Sequence, residues 1–406
     1  MRIRAFKALR PRPELAARVA CVPYDVVSAD EARALAAGNP LSFLHVARSE
    51  IDLPAGTDPY AEAVYAKAAE NLARLKSERA LIEEAEPSLY VYRQTLGRHV
   101  QRGVVACCAA AEYEGGIIRR HEKIREEKRR DRFRHISRLG TQTGLVFLVY
   151  RDRAEIDALM TEVEQGGPAL VDFVSEDDTQ HAVWRVELPA ALTAAFERVP
   201  ICYIADGHHR AAASADVAKA RAAANPHHTG EEEYNGFAAA LFPASQVRIL
   251  PYNRCVQDLN RRAPAAFLDA VRKAFEVFEP APPMPRAARE ISMYVAGRWY
   301  GLRWASPPPG GAASGLDVSV LQNRLLDPIL GVKDPRADRR IEFVGGIRGP
   351  EELKRRVDSG AAGVAFSMFP VRVDEVMAIA DAGETMPPKS TWFEPKLRSG
   401  LLMHGF

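Results

Sequence analysis

The chain has 406 residues, 47% apolar and 27% charged, the balance of a soluble globular protein with material for two or three domains. Lys and Arg total 55 against 53 Asp and Glu, so no global charge draws it to nucleic acid, and no apolar run approaches the roughly 18 residues of a membrane span. The charged opening MRIRAFKALRPRPELAARVA lacks the apolar stretch of a secretory signal, and five cysteines without C-x-x-C spacing read as reduced, buried thiols of a cytoplasmic protein, with no zinc expected.

Early in the chain Ser28, with Glu31 three residues on, forms a capping box that starts a helix, and Asp25 precedes it on a loop. Pro59 to Glu84 has helical spacing, with Tyr60, Ala63, Val64, Ala68, Leu72 and Leu75 on one side. Strands follow over Leu89–Leu96 and Gly103–Glu112, joined by Gly97-Arg98-His99 as a hairpin. Ile118 to His135 is the most charged tract, and its pairs Glu122–Arg125, Glu126–Arg130 and Glu127–Arg130 predict a solvated helix. Short buried strands are expected at Leu145–Tyr150 and Cys202–Ile204, a helix over Gly207–Ala224, and strands at Phe237–Phe242 and Val247–Leu250.

A break near Asn260–Pro264 separates an expected first domain, residues 1–260 with an insertion around 136–200, from a second, 261–406. The second part reads as a helix over Ala265–Phe275, a hairpin over Ser292–Trp304 turning at Ala296-Gly297, and a proline-glycine loop at Ser306–Gly311. It continues as helix Val318–Leu330, strand Ile341–Val344, helix Pro350–Ser359, strand Gly363–Phe369 and helix Val373–Ala382. Alternating strands and helices indicate an α/β or α+β architecture.

The stretch richest in chemistry is Ile204-Ala205-Asp206-Gly207-His208-His209-Arg210, where a strand turns at glycine into an alanine-rich helix. Such a turn aims unpaired N–H groups and the positive end of the helix dipole at one point, a site for phosphate, and Gly207 allows close backbone approach. His208, His209 and Arg210 add positive or donor groups there; an N-capped helix with a basic first turn is the structural alternative. His121-Glu122-Lys123 offers a general base, or a capping carboxylate. The run at 386–400 carries Lys389, Ser390, Lys396 and Arg398 on a loop stiffened by proline, suited to a substrate site or to an oligomer contact. Gly345-Gly346-Ile347-Arg348-Gly349 is another anion pocket candidate, but neither GxxxxGK[ST] nor GxGxxG occurs.

Taken together, YDVVSADEARALAAGNPLSFLHV, HEKIREEKRRDR, YIADGHHR, ILPYNR, RIEFVGG and MPPKSTWFEPKLRSG resemble the blocks of the family called domain of unknown function 1015. The HE…DGHHR portion is in turn similar to the ParB/sulfiredoxin-like nucleotide-binding fold and, within it, to free-serine kinases. That resemblance implies Glu122 as catalytic glutamate beside His121, and Asp206, Gly207, His209 and Arg210 as the phosphate-binding turn, with His208 at its variable position. It implies ATP or another nucleotide as phosphate donor, Mg²⁺ contacted by Asp206, and free L-serine as acceptor. Lys389, Ser390, Lys396 and Arg398 are then the candidates for holding the substrate. The partners expected are a nucleotide and a small amino acid, with a homo-oligomer left open and neither nucleic acid nor membrane. A ParB-like regulatory module without catalysis, and a kinase or phosphatase for another hydroxylated metabolite, are the rival readings.

Overall fold

A computed structural model describes residues 1–305 and 310–406; residues 306–309, within the expected proline-glycine loop, lie outside the described residues. The chain divides into two compact units. The first takes Met1–Arg120, Ile124–Val247 and Pro395–Phe406; the second takes His121–Lys123 and Arg248–Glu394. The division thus falls before the expected break at Asn260–Pro264, and residues 395–406 return to the first unit.

The first unit is built on a nine-stranded mixed sheet. Its order is Ile118–Arg119, Cys202–Asp206, Val146–Tyr150, Gly236–Pro243, His99–Ala109, Tyr90–Leu96, Gln180–Arg185 and Val171–Val174, with Ile3–Arg4 paired to His99–Ala109. Val146–Tyr150 runs parallel to Gly236–Pro243 and antiparallel to Cys202–Asp206. All five of its residues are buried, as a continuous apolar strand covered on both faces must be. This is the short buried strand expected at Leu145–Tyr150, and it lies inside the sheet. The expected hairpin forms, Tyr90–Leu96 against His99–Ala109, with Leu96 opposite His99 and Gly97 at φ 59° in the turn. Val91, Val104, Val146, Leu148, Ile204 and Leu241 meet in the main core. A smaller sheet joins Leu81–Glu83, Ala8–Pro11, Met403–Gly405 and Thr141–Gln142.

Two expected helices come out shorter. The one predicted from Pro59 forms as Glu62–Ser77, burying Val64, Tyr65, Ala68, Leu72 and Leu75, and Arg79 at φ 54° ends it so that Leu81–Glu83 becomes a strand. The charged tract opens with the short strand Ile118–Arg119, and its helix starts only at Glu126 and runs to Leu139. That helix is not simply solvated: Asp131, Arg132, His135 and Ile136 are buried on one face. Its charges pair outward to other elements, Arg134 to Glu62 at 2.9 Å and Arg129 to Asp216, besides Arg129 to Glu126 at 3.3 Å.

In the second unit six strands make an antiparallel sheet, ordered Glu276–Phe278, Arg298–Arg303, Glu290–Val295, Val364–Ser367, Tyr252–Val256 and Ile341–Gly345. Ala296 (φ 50°) and Gly297 (φ 80°) make the tight turn of the expected hairpin. Leu353 of the helix Gly349–Asp358 packs on Cys255, Tyr294, Val344 and Ala365. The helix predicted over Val318–Leu330 is α-helical only for Asp317–Leu321 and then widens into a π turn, Gln322–Leu326. The chain is therefore a mixed α/β protein, α+β in its second unit. All five cysteines are buried and free, and no helix of the described residues is long and apolar enough to cross a membrane.

Candidate functional site

The turn at Asp206 forms as the sequence predicts. Strand Cys202–Asp206 slips register against Val146–Tyr150 between Ile204 and Asp206, a bulge that redirects the last side chain of the strand. Gly207 follows in the left-handed region, φ 91° and ψ 25°, and the helix His208–Ala224 starts directly after it. The N-cap residue is Gly207 itself, which has no side chain to cap the helix. A Cβ on Gly207 would sit 3.0 Å from Arg210 Nε, so the left-handed backbone favours glycine and the tight contact with Arg210 adds to that preference.

Beneath the turn lies an ion cluster. Lys396 Nζ donates to Asp206 Oδ2 at 3.1 Å, with side-chain exposures of 12% and 21%. The N–H of Gly207 donates to Asp206 Oδ1 at 2.7 Å, and Arg210 NH2 lies 3.6 Å from the same oxygen. Burial alone would push the Asp206 carboxyl up, but Lys396 first and Arg210 next outweigh it and hold it well below the usual carboxylate range. Arg210 itself is buried and donates to the Leu145 carbonyl, so it props the turn from inside rather than reaching outward. His208 is buried too, and that burial drives its imidazole down to about 3 against the pull of Asp206. It is neutral at pH 7 and adds no positive charge. His209 accepts the Arg125 N–H on Nε2 at 3.0 Å, tying the helix start to the loop before Glu126–Leu139.

The C-terminal run supplies its cations differently from the expectation. Arg398 is 4% exposed and fully engaged: its Nε donates to His181 Nε2 at 3.0 Å, and its NH2 donates to Ser175 Oγ at 2.8 Å and to Asp177. Burial, then the neighbouring Arg398 charge, push the His181 imidazole down to about 3, consistent with a neutral ring that accepts on Nε2 and meets Tyr92 Oη through Nδ1 at 2.7 Å. Arg398 is thus a buried structural cation, not an open carboxylate clamp. Lys396 has its internal anion in Asp206. Lys389 and Ser390 belong to the second unit, where Lys389 Nζ donates to Tyr252 Oη at 3.3 Å and Ser390 Oγ to the Pro387 carbonyl at 2.7 Å. His121 and Glu122 belong to that unit as well, and the His121 carbonyl accepts the Met386 N–H at 2.8 Å. Within the first unit, then, Asp206, Gly207, His208, His209, Arg210 and Lys396 come together, and Arg398 stands in a separate cluster.

Magnesium prefers oxygen ligands, yet both Asp206 oxygens are engaged, one by Lys396 and one by the Gly207 N–H. Each carboxylate oxygen keeps a second lone pair, so these bonds leave room for the expected Mg²⁺ contact at Asp206, direct or through water. Among the described residues the one Cys/His/carboxylate cluster of metal-like spacing is Cys107, Glu233 and His404, and Arg4 already supplies a cation at 3.1 Å from Glu233.

The chain belongs to the family described as Protein of unknown function (DUF1015), which matches residues 3–324. Among solved structures it is similar to a mutant free serine kinase in complex with AMP, at 13% identity and a TM-score of 0.37, over 71% of this chain and 87% of that one. It is also similar to a conserved hypothetical protein from Pyrococcus furiosus, at 14% identity and 0.36, over 73% and 93%. A third is SbnI with a C-terminal truncation from Staphylococcus aureus, at 10% identity and 0.38, over 73% and 85%. No curated protein matches the sequence.

Proposed function

We propose that the protein is an ATP-dependent phosphotransferase that phosphorylates the hydroxyl of free L-serine. The observation that carries this reading is the left-handed Gly207 that opens helix His208–Ala224 over the Asp206–Lys396–Arg210 cluster. One carboxylate and two cations leave that cluster with a net charge of +1, added to the helix dipole of roughly half a charge. Such a point favours a phosphate bound to backbone N–H groups. The sequence resemblance of HE…DGHHR to free-serine kinases supplies the acceptor and gives Glu122 its role.

The overall reaction is ATP plus L-serine giving ADP, O-phospho-L-serine and a proton. The serine Oγ forms the new bond to phosphorus as the bond to the ADP oxygen breaks, and Glu122 accepts the hydroxyl proton. Phosphoryl transfer asks the protein mainly for positioning and charge neutralisation. Gly207 gives the phosphates access to the backbone, Arg210 and Lys396 fix the turn and its charge, and His209 holds the helix start in place.

The test is incubation of the full chain with ATP, Mg²⁺ and L-serine, with ADP and phosphoserine both measured. Phosphoserine is expected from wild type, and its loss is expected in Glu122→Gln with nucleotide affinity kept. Absence of phosphoserine from wild type with ATP, ADP or pyrophosphate as donor overturns the reading.

A further inference from the structure

A polar cavity of about 200 Å³ within the first unit is lined by Tyr24, Arg48, Glu50, Lys128, Asp131 and Arg132, among others. Helix Glu126–Leu139 supplies Lys128, Asp131 and Arg132, three and four residues apart and so on one helical face. The short helix Leu44–Ala47 and the turn Ser49–Asp52 bring Arg48 and Glu50 to it, and Val64 and Tyr65 of Glu62–Ser77 close it.

Its charges are held in place by one another. Arg132 Nε donates to Asp131 Oδ2 at 2.8 Å while its guanidinium lies 3.9 Å over the Tyr24 ring. Tyr65 Oη donates to Asp131 Oδ1 at 3.0 Å. Arg48 pairs with Glu50 at 2.7 Å and donates to the Tyr24 carbonyl at 3.1 Å, and Lys128 Nζ donates to Tyr60 Oη at 2.8 Å. Glu50, Asp131 and Arg132 are all 9% exposed or less. Three cations face two carboxylates, and His135, pushed down to about 4 by burial and then by Arg132, adds no charge at neutral pH. The cavity is therefore net positive by one charge, yet it also holds two carboxylates. Both signs line the cavity within a few ångströms, already paired with one another, so a ligand that carries both charges can share these pairs where a singly charged one adds an unmatched charge.

Size narrows the ligand further. Pockets for drug-sized molecules start near 300 Å³, so about 200 Å³ suits a free amino acid and is too small for a nucleotide. A second, smaller cavity shares Tyr24, Ala47, Arg132 and His135 with this one and is also lined by Gly144 and Arg210. It runs from the pocket's lining to the Arg210 side chain.

We infer that this cavity is the acceptor subsite and binds a small free amino acid as its zwitterion, the carboxylate toward Lys128 and Arg48 and the ammonium toward Glu50 and Asp131. The acceptor role rests on the phosphotransferase reading, and recognition of the amino acid on the cavity. The full chain is titrated calorimetrically with L-serine without nucleotide, beside ethanolamine, which lacks the carboxylate, and 3-hydroxypropionate, which lacks the ammonium. Wild type should bind serine and neither analogue comparably. Glu50→Gln and Lys128→Met should each weaken serine at least tenfold and raise its KM by a similar factor, with nucleotide affinity unchanged. Lys128, at the cavity rim, is the variant least able to disturb folding, and thermal melting checks both. Serine phosphorylated with an unchanged KM in both variants overturns the cavity and leaves the reaction standing. Serine bound by wild type and lost in both variants, with no phosphoserine from any donor, upholds the amino-acid site and overturns the phosphotransferase reading. No serine binding to wild type overturns the inference.

Discussion

Replacing Lys396 by methionine tests the cluster under the Asp206 turn directly. The pair is 3.1 Å apart and mostly screened from water, with Lys396 12% and Asp206 21% exposed. Removing one partner of a fully buried pair costs about 3–5 kcal/mol, because the other charge is stranded. Here Arg210 remains 3.6 Å away and Asp206 keeps the Gly207 N–H, so the expected loss is lower, about 2–3 kcal/mol. At roughly 2–4 °C per kcal/mol for a domain of 150–250 residues, melting of the first unit should fall by roughly 4–12 °C. Asp206 is held below its unfolded-state value of 3.8, so the stability it contributes is complete above that pH and is lost as pH falls through the folded-state value. The deficit of Lys396→Met should accordingly be full at pH 7 and shrink below pH 4. The assay is thermal melting by circular dichroism from pH 3 to 8 on Lys396→Met, Asp206→Asn and the double variant. Coupling between the two sites should exceed 1 kcal/mol, since Asp206→Asn removes the stranded charge. Two single losses that simply add, within about 0.5 kcal/mol, would refute the argument.

Gly207→Ala should destabilise by about 1–3 kcal/mol and weaken ATP binding together, because its φ of 91° and the 3.0 Å approach to Arg210 both resist a side chain; a variant as stable as wild type places the constraint elsewhere. His135, His181 and His208 are pushed down by burial to about 4, 3 and 3 from an ordinary 6.5. Depressed folded-state values mean that stability is whole above pH 6.5 and falls as the solution is acidified, by up to about 4 kcal/mol per pH unit if all three act. Urea denaturation between pH 7 and 5 reads this as a proton uptake on unfolding, and an uptake below one proton contradicts it. In the second unit, burial raises the Asp317 carboxyl from 3.8 to about 7 against the Arg289 N–H bonds it accepts. A raised value makes stability fall as pH climbs from 4 through 7, so Asp317→Asn should gain about 2–4 kcal/mol on wild type by pH 8. Tryptophan fluorescence follows it, since Trp299, Trp304 and Trp392 lie in this unit, and a flat difference across pH rejects the assignment.

The turn was legible because its signals are local. A strand of Cys202, Tyr203 and Ile204, a glycine and an alanine-rich helix dictate the left-handed break whatever else the chain does. The hairpins at Gly97 and at Ala296-Gly297 were readable for the same reason. What the sequence concealed depends on distant partners. Arg398 looks like an open cation until Asp177 and His181, more than two hundred residues away, enclose it. The tract from Arg119 to Arg134 looks solvated because charge pairs are visible in sequence while the burial of Asp131 and Arg132 against Tyr65 and Tyr24 is not. One local sign was present: Lys128, Asp131 and Arg132 share a helical face with the apolar Ile136, which marks that face as an inward one. That residues 146–150 form a buried strand was legible, but its neighbours in the sheet were not, because strand order is set by tertiary pairing.

The segment Pro395–Phe406 explains why the turn can hold a mostly buried carboxylate at all. Ser399 exchanges backbone hydrogen bonds with Cys21, Gly400 N–H donates to the Thr143 carbonyl, and Phe406 N–H to that of Gly140. Met403–Gly405 enters the small sheet between Ala8–Pro11 and Thr141–Gln142, and Gln94 binds the Lys396 carbonyl at 2.9 Å. Each of these bonds fixes backbone, so the entropy of placing Lys396 is met before its ammonium reaches Asp206. A lysine on a free loop would surrender much of its ion-pair energy to that ordering, as exposed pairs do. Anchored at both sides, Lys396 can offset the desolvation of Asp206, whose Oδ1 accepts the Gly207 N–H at the helix start.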